Sequence, residues 1–360
     1  MSEVRATRLQ LEAFTASAMR TLGLPSEDAA TVAALMVDAD MQGSDGHGII
    51  RLAPYAKRIL AGGINLNPNI KVVQERTAMA LLDGDNGMGH LVMKKATELA
   101  IHKARTAGIA WVGSRLSNHA GPASLYARMA LQHDMIGLYF AVGNANHLPP
   151  WGGLDMLLST NPIAAAIPTL NEVPVVLDMA TTVAAYGKVK AKAQRGEMMP
   201  EGWMIDRQGK PLLDPTQSEK GFLLPIGGFK GYGLSLIVGI LAGTLNGAAM
   251  GSQVIDFNKD FSTTTNTGQA IAIIDPSAFG DLHEFKQNVD MLVRELKGAE
   301  RMPGVDRIWL PGEQSYEKRK SHEAKGILMA PSLMKQLNDL AAQLNITPLN
   351  VQIQTSLLRR

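Results

Sequence analysis

His47 and Arg51 stand four residues apart in SDGHGIIR at residues 44–51. If this segment opens a helix, the imidazole and the guanidinium leave from one face. Arginine can then hold a carboxylate through two parallel hydrogen bonds. The histidine, near its neutral-pH switch point, can exchange a proton with an oxygen on the adjacent carbon. The plainer reading is a helix start with Gly46 and Gly48 as turn residues and a solvated Arg51, and spacing alone favours it.

A second candidate is RLSNHAGPASLYARMA, from Arg115, where Ser117, Asn118 and His119 follow an expected strand and precede an expected helix. A histidine at a helix N-terminus is readily kept neutral, and the amides there attract an anion. Strand-to-helix turns are also where α/β sheets often place ligands. An ordinary cap explains the run equally well. In GFLLPIGGFKGYGLSLIVG, Gly227, Gly228, Gly231 and Gly233 surround Lys230 before a long apolar stretch. Backbone amides can approach an anion there while the ammonium neutralises it. The Walker spacing is missing, and the alternative is tight helix packing with a solvated Lys230. Asn161 in STNP and Asp178 in VVLDMATT lie at strand ends, where a carboxylate either receives a ribose or amide hydrogen bond or, more commonly, caps the next helix. LPGE at residues 310–313 reads as a turn.

The elements that must position these residues follow from periodicity. Residues 7–62 read as helical, with Ser26 as an N-cap, Glu27 and Asp28 in the first turn, Gly43 as a stop, and a second helix through RLAPYAKRILAGG with Pro54 near its first turn. From residue 69 to residue 276, β-type runs (IKVVQE, AMALLDG, IAWVGS, MIGLYFAVG, NPIAAAIP, PVVLDMA, AIAIID) alternate with helical ones (LVMKKATELAIHKARTAG, ASLYARMALQHD, AAYGKVKAKAQRG and the apolar run after Lys230). Two amphipathic helices, HEFKQNVDMLVRELKGAE and SLMKQLNDLAAQLN, flank IWLPGE. The expected class is α/β or α+β. A helical split domain is expected from residues 1–70 with 281–360, and a sheet-containing domain from residues 71–280.

Composition narrows the function. The 360 residues carry 35 Lys+Arg against 33 Asp+Glu, a formal charge of +2, with 5% aromatics. That balance argues against dedicated nucleic-acid or anionic-membrane binding. With 46% hydrophobic and 19% charged residues, disordered and fibrous classes are excluded. Cysteine is absent, which removes disulfides and thiolate chemistry and fits a reducing compartment. There is no H-x-x-x-H pair, so no metal site is expected. No G-x-G-x-x-G follows a strand and no G-x-S-x-G elbow occurs, arguing against a conventional Rossmann site and an α/β-hydrolase. MSEVRATRLQ lacks the apolar core of a secretory signal. The apolar stretch from Leu234 is interrupted by Ser235, Thr244, Asn246 and glycines, as in a buried helix. A cytoplasmic protein, without a membrane partner, is expected.

Taken together, SDGHGIIR, the S-x-H-x-G of residues 117–121, PPWGG before STNP, VVLDMATT, LPIGGFKGYGL and the late LPGE resemble, in this order, the type 2 malate/L-lactate dehydrogenase family. The resemblance runs nearly end to end. It implies an NAD(P)-dependent oxidoreductase with a non-Rossmann cofactor domain built on a mixed sheet, a helical domain from both chain ends, and a homodimer. It further implies hydride transfer between nicotinamide and a small 2-hydroxy or 2-oxo acid. By motif, His47 and His119 are both acid/base candidates, Arg51 is the carboxylate clamp, and Tyr55, one helical turn beyond Arg51, is a substrate contact. Ser117, Asn144, Asn161, Asp178, Met179, Ala180, Lys230, Gly231, Pro311, Gly312 and Glu313 match segments that line the NAD or NADP. One departure stands out: many relatives carry serine immediately before the first motif histidine, and here Gly46 takes that place.

Two other functions compete. One keeps the family but reduces cyclic imines such as Δ1-piperideine-2-carboxylate or Δ1-pyrroline-2-carboxylate, whose C=N needs less acid assistance. The other is a catalytically silent nucleotide-binding protein, against which the retention of His47, Arg51, His119 and Lys230 argues. Between NAD and NADP the sequence leaves Lys192 and Arg195 as either a 2′-phosphate contact or, more commonly, a solvated helix face.

Overall fold

In the computed structural model, which describes residues 3–354, the chain begins with strand β1 (Glu3–Ala6) and helices α1 (Arg8–Thr21), α2 (Ser26–Met41) and α3 (Leu52–Leu60). Thr7 and Gln10 form a reciprocal capping box at the start of α1. In α2 the N-cap is Pro25, and Ser26 is the first helical residue, so Glu27 and Asp28 alone serve the helix N-terminus. Gly43 takes a left-handed φ of 75° just beyond α2, where a residue with a Cβ is strained. Pro54 falls in the first turn of α3, where its missing amide costs nothing.

The middle of the chain runs β2 (Lys71–Arg76), β3 (Met79–Gly87), α4 (Gly89–Ala107), β4 (Ile109–Ser117), α5 (Ser124–Met129), β5 (Ile136–Ala141), β6 (Ile163–Ile167), β7 (Val175–Met179), α6 (Tyr186–Arg195), β8 (Met204–Asp206), β9 (Gly221–Leu223), α7 (Phe229–Ala242) and β10 (Gln269–Ile274). Seven of these strands form one sheet in the order β2-β3-β4-β10-β5-β6-β7. The β3–β4 pair is parallel, with α4 as its crossover, and the other neighbours are antiparallel. This is a mixed sheet, as the resemblance implied, and it differs from the all-parallel sheet of a doubly wound fold. Alanines on both surfaces, Ala96, Ala100 and Ala104 of α4 and Ala80, Ala110 and Ala164 of the strands, are buried in one core. Small side chains there let helix and sheet approach closely.

The chain closes with α8 (Leu282–Gly298), α9 (Glu313–Lys325), β11 (Ile327–Leu328), α10 (Pro331–Leu344) and β12 (Gln352–Gln354). β1 pairs antiparallel with both β11 and β12, joining the two ends of the described chain. A second core gathers Leu11, Met36, Leu52 and Tyr55 with Leu337 and Leu340 of α10. α8 is tied instead to the sheet-bearing part. The Asp290 carboxylate accepts from the amides of Leu170 and Asn171 at 3.0 and 2.9 Å, and Lys286 pairs with Asp134 at 2.6 Å. Among the described residues no helix is long and apolar enough to cross a membrane.

Candidate active site

Residues 44–51 form a turn laid across the end of α2 rather than the start of a helix. Ser44 donates to Ala39 O at 2.9 Å and His47 to Ser44 O at 2.8 Å, and a 3-10 turn over Ile49–Arg51 leads into α3. The Asp40 carboxylate, buried within α2, accepts the Ile49 amide through Oδ2 at 2.7 Å. A Cβ at Gly48 would overlap that carboxylate, so this glycine is required for space. Gly46, by contrast, faces open space. Arg51 donates from Nε to Gly46 O at 2.8 Å, which orients its guanidinium and leaves the two terminal nitrogens of the fork for a ligand.

His119 reaches the same place from the end of β4. No helix begins beside it: α5 starts at Ser124. What fixes His119 is its neighbour Asn118, whose amide group donates to Asn86 O and Gly87 O, both at 2.9 Å. The Asn118 Oδ1 accepts from Arg58 at 3.2 Å and Thr265 at 2.9 Å. The imidazoles of His47 and His119 stack with centroids 5.6 Å apart and planes within 9°. Tyr55 and Phe257 also lie near His119, tilted to it with centroids 6.0 and 5.9 Å away, and His90 meets Tyr55 edge-on at 5.7 Å.

The bonds at His119 select a tautomer. Its Nδ1 lies 2.6 Å from the Tyr55 hydroxyl and 3.4 Å from the Gly121 amide. An amide only donates, so Nδ1 is the acceptor, Tyr55 donates to it, and the ring proton sits on Nε2. Burial, then Arg51 and the two other histidines, hold His119 well below the ordinary imidazole range. Burial and then Arg51 lower His47 to about 4. Both rings are therefore neutral at neutral pH, although each is only half-buried and keeps an accessible edge. Burial pushes the Tyr55 hydroxyl up, so it remains a donor.

Most of the remaining sequence candidates lie along β7, Asp178 to Ala180 at its carboxyl end and Pro311 to Glu313 against its start. Asp178 is exposed on one side yet crowded enough that burial raises its pKa. It accepts from the Ser124 amide at 2.9 Å, capping α5 from across the fold and linking β7 to the His119 loop. Met179 and Ala180 follow, half-buried. Thr181 then donates to Thr160 O at 2.9 Å and accepts from Ile226 at 3.0 Å, which draws STNP, LDMATT and the glycine loop together. Asn161, at a φ of 21°, is a buried tie: Oδ1 accepts from Gly143 at 3.1 Å, and Nδ2 donates to Ser235 O of α7 at 2.9 Å. Asn144 donates to Thr267 Oγ1 at 2.7 Å, and its carbonyl accepts from Phe257 at 2.8 Å. Ser117 is fully buried at the end of β4.

Gly227 and Gly228 both adopt left-handed φ, 57° and 67°, immediately before α7, whose N-terminus has no side-chain cap. Lys230 is exposed in its first turn, and Gly231 is buried behind it, where a Cβ would overlap Ile226 O. In the LPGE turn, Pro311 O accepts from Val176 of β7 at 3.0 Å, and Gly312 lies against Val176. The Glu313 carboxylate is committed to Leu310 N at 3.1 Å, Lys297 at 2.9 Å and Arg307 at 3.5 Å. Lys192 is paired with Glu197 at 2.8 Å.

Sequence reasoning missed Asp40, Arg58, His90 and Phe257. Asp40 left a trace, a carboxylate on the apolar phase of α2. Phe257 left none, lying in a loop without periodicity.

Comparison with known proteins identifies the family and the fold. Residues 7–338 match the model of the family described as malate/L-lactate dehydrogenase. The chain is 40% identical to malate dehydrogenase of Pyrococcus abyssi over 357 residues, 97% of each chain. It superposes on the sulfolactate dehydrogenase structure of Methanocaldococcus jannaschii with a TM-score of 0.88 and 35% identity, covering 96% of this chain and 98% of that one. The Δ1-piperideine-2-carboxylate reductase structure of Pseudomonas syringae gives a TM-score of 0.83 and 31% identity, covering 94% and 99%. A family match over nearly the whole described chain and relatives named as dehydrogenases make this an oxidoreductase, and the chain belongs to the malate/L-lactate dehydrogenase family.

Proposed function

We propose that this protein is an NAD(P)-dependent dehydrogenase of small 2-hydroxy acids, with His119 as the proton donor and acceptor and Arg51 as the carboxylate clamp. The observation that carries the reading is the orientation of His119: Nδ1 is occupied by Tyr55 and Gly121, so Nε2 is the nitrogen left to serve the substrate oxygen. Arg51, its Nε already satisfied by Gly46, offers the planar fork that suits a carboxylate.

The residues around β7 fit a dinucleotide. Two consecutive left-handed glycines, an uncapped helix N-terminus and the exposed Lys230 suit its diphosphate. The open carboxylate of Asp178 and the backbone of Met179, Ala180, Pro311 and Gly312 suit the rest of its length. When bound, the dinucleotide supplies or accepts the hydride. In reduction, the protonated ring gives its Nε2 proton to the oxygen at C2 as charge develops there and ends neutral, with its remaining proton on Nδ1 toward the Tyr55 oxygen; in oxidation that neutral tautomer takes the proton back at Nε2. His47 stacks on His119, and burial first, then Arg51, keeps the His119 ring neutral in the free protein.

Lys190 favours a dianionic acid of the malate kind. It is held below the ordinary lysine range first by burial and then by the charge of Arg51, with its ammonium 5.4 Å from the Tyr186 ring, and a second carboxylate would ease the repulsion between the two cations. Malate and sulfolactate dehydrogenases among the relatives accord with this. The exposed apolar residues Phe229, Ile237, Ile240 and Leu245 along α7 and the turn after it suit a homodimer, and the lack of cysteine suits the cytoplasm.

The test is a panel of NADH and NADPH against oxaloacetate, sulfopyruvate, pyruvate and Δ1-piperideine-2-carboxylate. Oxidation of one dinucleotide with the dianionic oxo acids, ahead of pyruvate, is expected. Turnover with the imine alone overturns the reading in favour of an imine reductase. Absence of both turnover and a thermal shift with either dinucleotide favours a silent protein.

A further inference from the structure

The buried carboxyl of α2 has no part in the chemistry proposed above, and its surroundings give it another. Asp40 is 5% exposed, and none of the ion pairs among the described residues involves it. Its Oδ2 accepts the Ile49 amide at 2.7 Å, while Oδ1 fills the space where a side chain at residue 48 would stand. Gly48 and Asp40 are therefore a matched pair. Only a residue without a Cβ lets the turn lie close enough for Ile49 to donate to α2. Ile49 is itself buried, and its amide meets no other acceptor among the described residues, so losing the carboxyl strands a buried donor. The residues on either side of this anchor are the two that bear on the substrate: His47 precedes it by two and Arg51 follows it by two.

We propose that Asp40 is a positioning residue of the substrate site, holding residues 44–51 against α2 so that Arg51 and His47 face His119. The inference rests on the dehydrogenase reading for its kinetic consequence and on the Asp40–Ile49 bond for its structural one. Burial raises the Asp40 carboxyl to about 8, so a neutral acceptor of the same shape should replace it. Asparagine keeps an oxygen for Ile49, and alanine does not.

The experiment compares Asp40→Ala, Asp40→Asn and the unaltered protein in three readouts: KM for the oxo acid, dissociation constant for NAD(P)H by fluorescence titration, and hydrogen exchange of the Ile49 amide. Asp40→Ala should raise the oxo-acid KM about tenfold or more, as expected when a buried donor loses its partner and a clamp shifts. Dinucleotide binding should stay within about twofold, because Lys230 and the β7 loops lie on other segments. Ile49 should lose its protection. Asp40→Asn should keep KM within about threefold and retain protection. If Asp40→Ala does not fold, Gly48→Ala, which presses the same turn away from the other side, should give the same acid-specific rise in KM. An unchanged oxo-acid KM in Asp40→Ala, equal losses of acid and dinucleotide binding, or an asparagine variant as impaired as alanine each overturns the proposal. Failure of the unaltered protein to turn over any oxo acid rejects the dehydrogenase reading alone. Ile49 exchange, with calorimetric binding of oxalate in place of KM, then decides for or against Asp40.

Discussion

The Tyr55 hydroxyl donates to His119 Nδ1 at 2.6 Å, and this bond, between residues 64 positions apart, decides which edge of the imidazole can trade a proton. A neutral hydrogen bond of this kind is worth about 0.5–1.5 kcal/mol. Tyr55→Phe keeps the ring and its packing against His90 and Phe257 and removes only the donor. It should lower kcat by about two- to tenfold at saturating oxo acid and dinucleotide. Steady-state kinetics check this, and an unchanged kcat would place Tyr55 outside the proton path.

The pH profile follows from the direction of the histidine shifts. Oxidation of a hydroxy acid needs neutral His119 as base, and a pKa held well below the ordinary range keeps that form present through neutral and mildly acidic pH. The kcat/KM for oxidation should stay level from about pH 8 to about pH 6 and fall only in more acidic solution. After burial, Arg51 is the charge that acts most on both His47 and His119. Arg51→Gln should therefore move the acidic limb toward higher pH while raising the KM for the acid. A limb already falling at about pH 6.5 in the unaltered protein would show that the imidazole is not held down.

Lys230 and Glu313 both lie in segments assigned to the dinucleotide, yet their surroundings separate them. Lys230 is exposed, and a charge-assisted contact to a phosphate is worth about 1.5–3 kcal/mol. Lys230→Ala should raise the KM for NAD(P)H by about tenfold or more and leave the KM for the acid near its original value.

Glu313 is occupied by Leu310, Lys297 and Arg307, and its side chain is 4% exposed against 31% for Lys297. Breaking a half-solvated cluster of this kind costs about 1–3 kcal/mol. Glu313→Gln should lower the Tm by several degrees, about 2–4 °C per kcal/mol for a chain of this size. It should also raise the dinucleotide KM less than Lys230→Ala does. Calorimetry and kinetics on the two variants separate a fastening role from a contact role.

The alternation of strands and helices was legible where an element carried a period of two or of 3.6 residues, as β5 and α4 do. Their arrangement was not. β10 lies between β4 and β5, a pairing across more than a hundred residues that no local pattern encodes. β1, β11 and β12 are too short to show alternation, and α9, EQSYEKRKSHEAK, buries only Glu313, so it has no apolar stripe to betray it. In the site, the residue types of His47, Arg51 and His119 were legible from ordered motifs. The reason for Gly48 was not, because it is Asp40, and neither was the Tyr55 bond that orients His119. Both depend on side chains meeting across a turn or across the fold, and such contacts appear only once the chain has closed.

We propose that His119, presented through Nε2, carries the proton that accompanies hydride transfer to a 2-oxo acid. Its most direct test is kcat for reduction by saturating NADH or NADPH in His119→Ala beside His47→Ala. Loss of the acid at His119 should lower kcat by about 10²–10⁴-fold. His47→Ala, which removes a stacked neighbour, should cost less. If His119→Ala turns over at the unaltered rate, or if His47→Ala is the more damaging change, the assignment of the proton to His119 is contradicted.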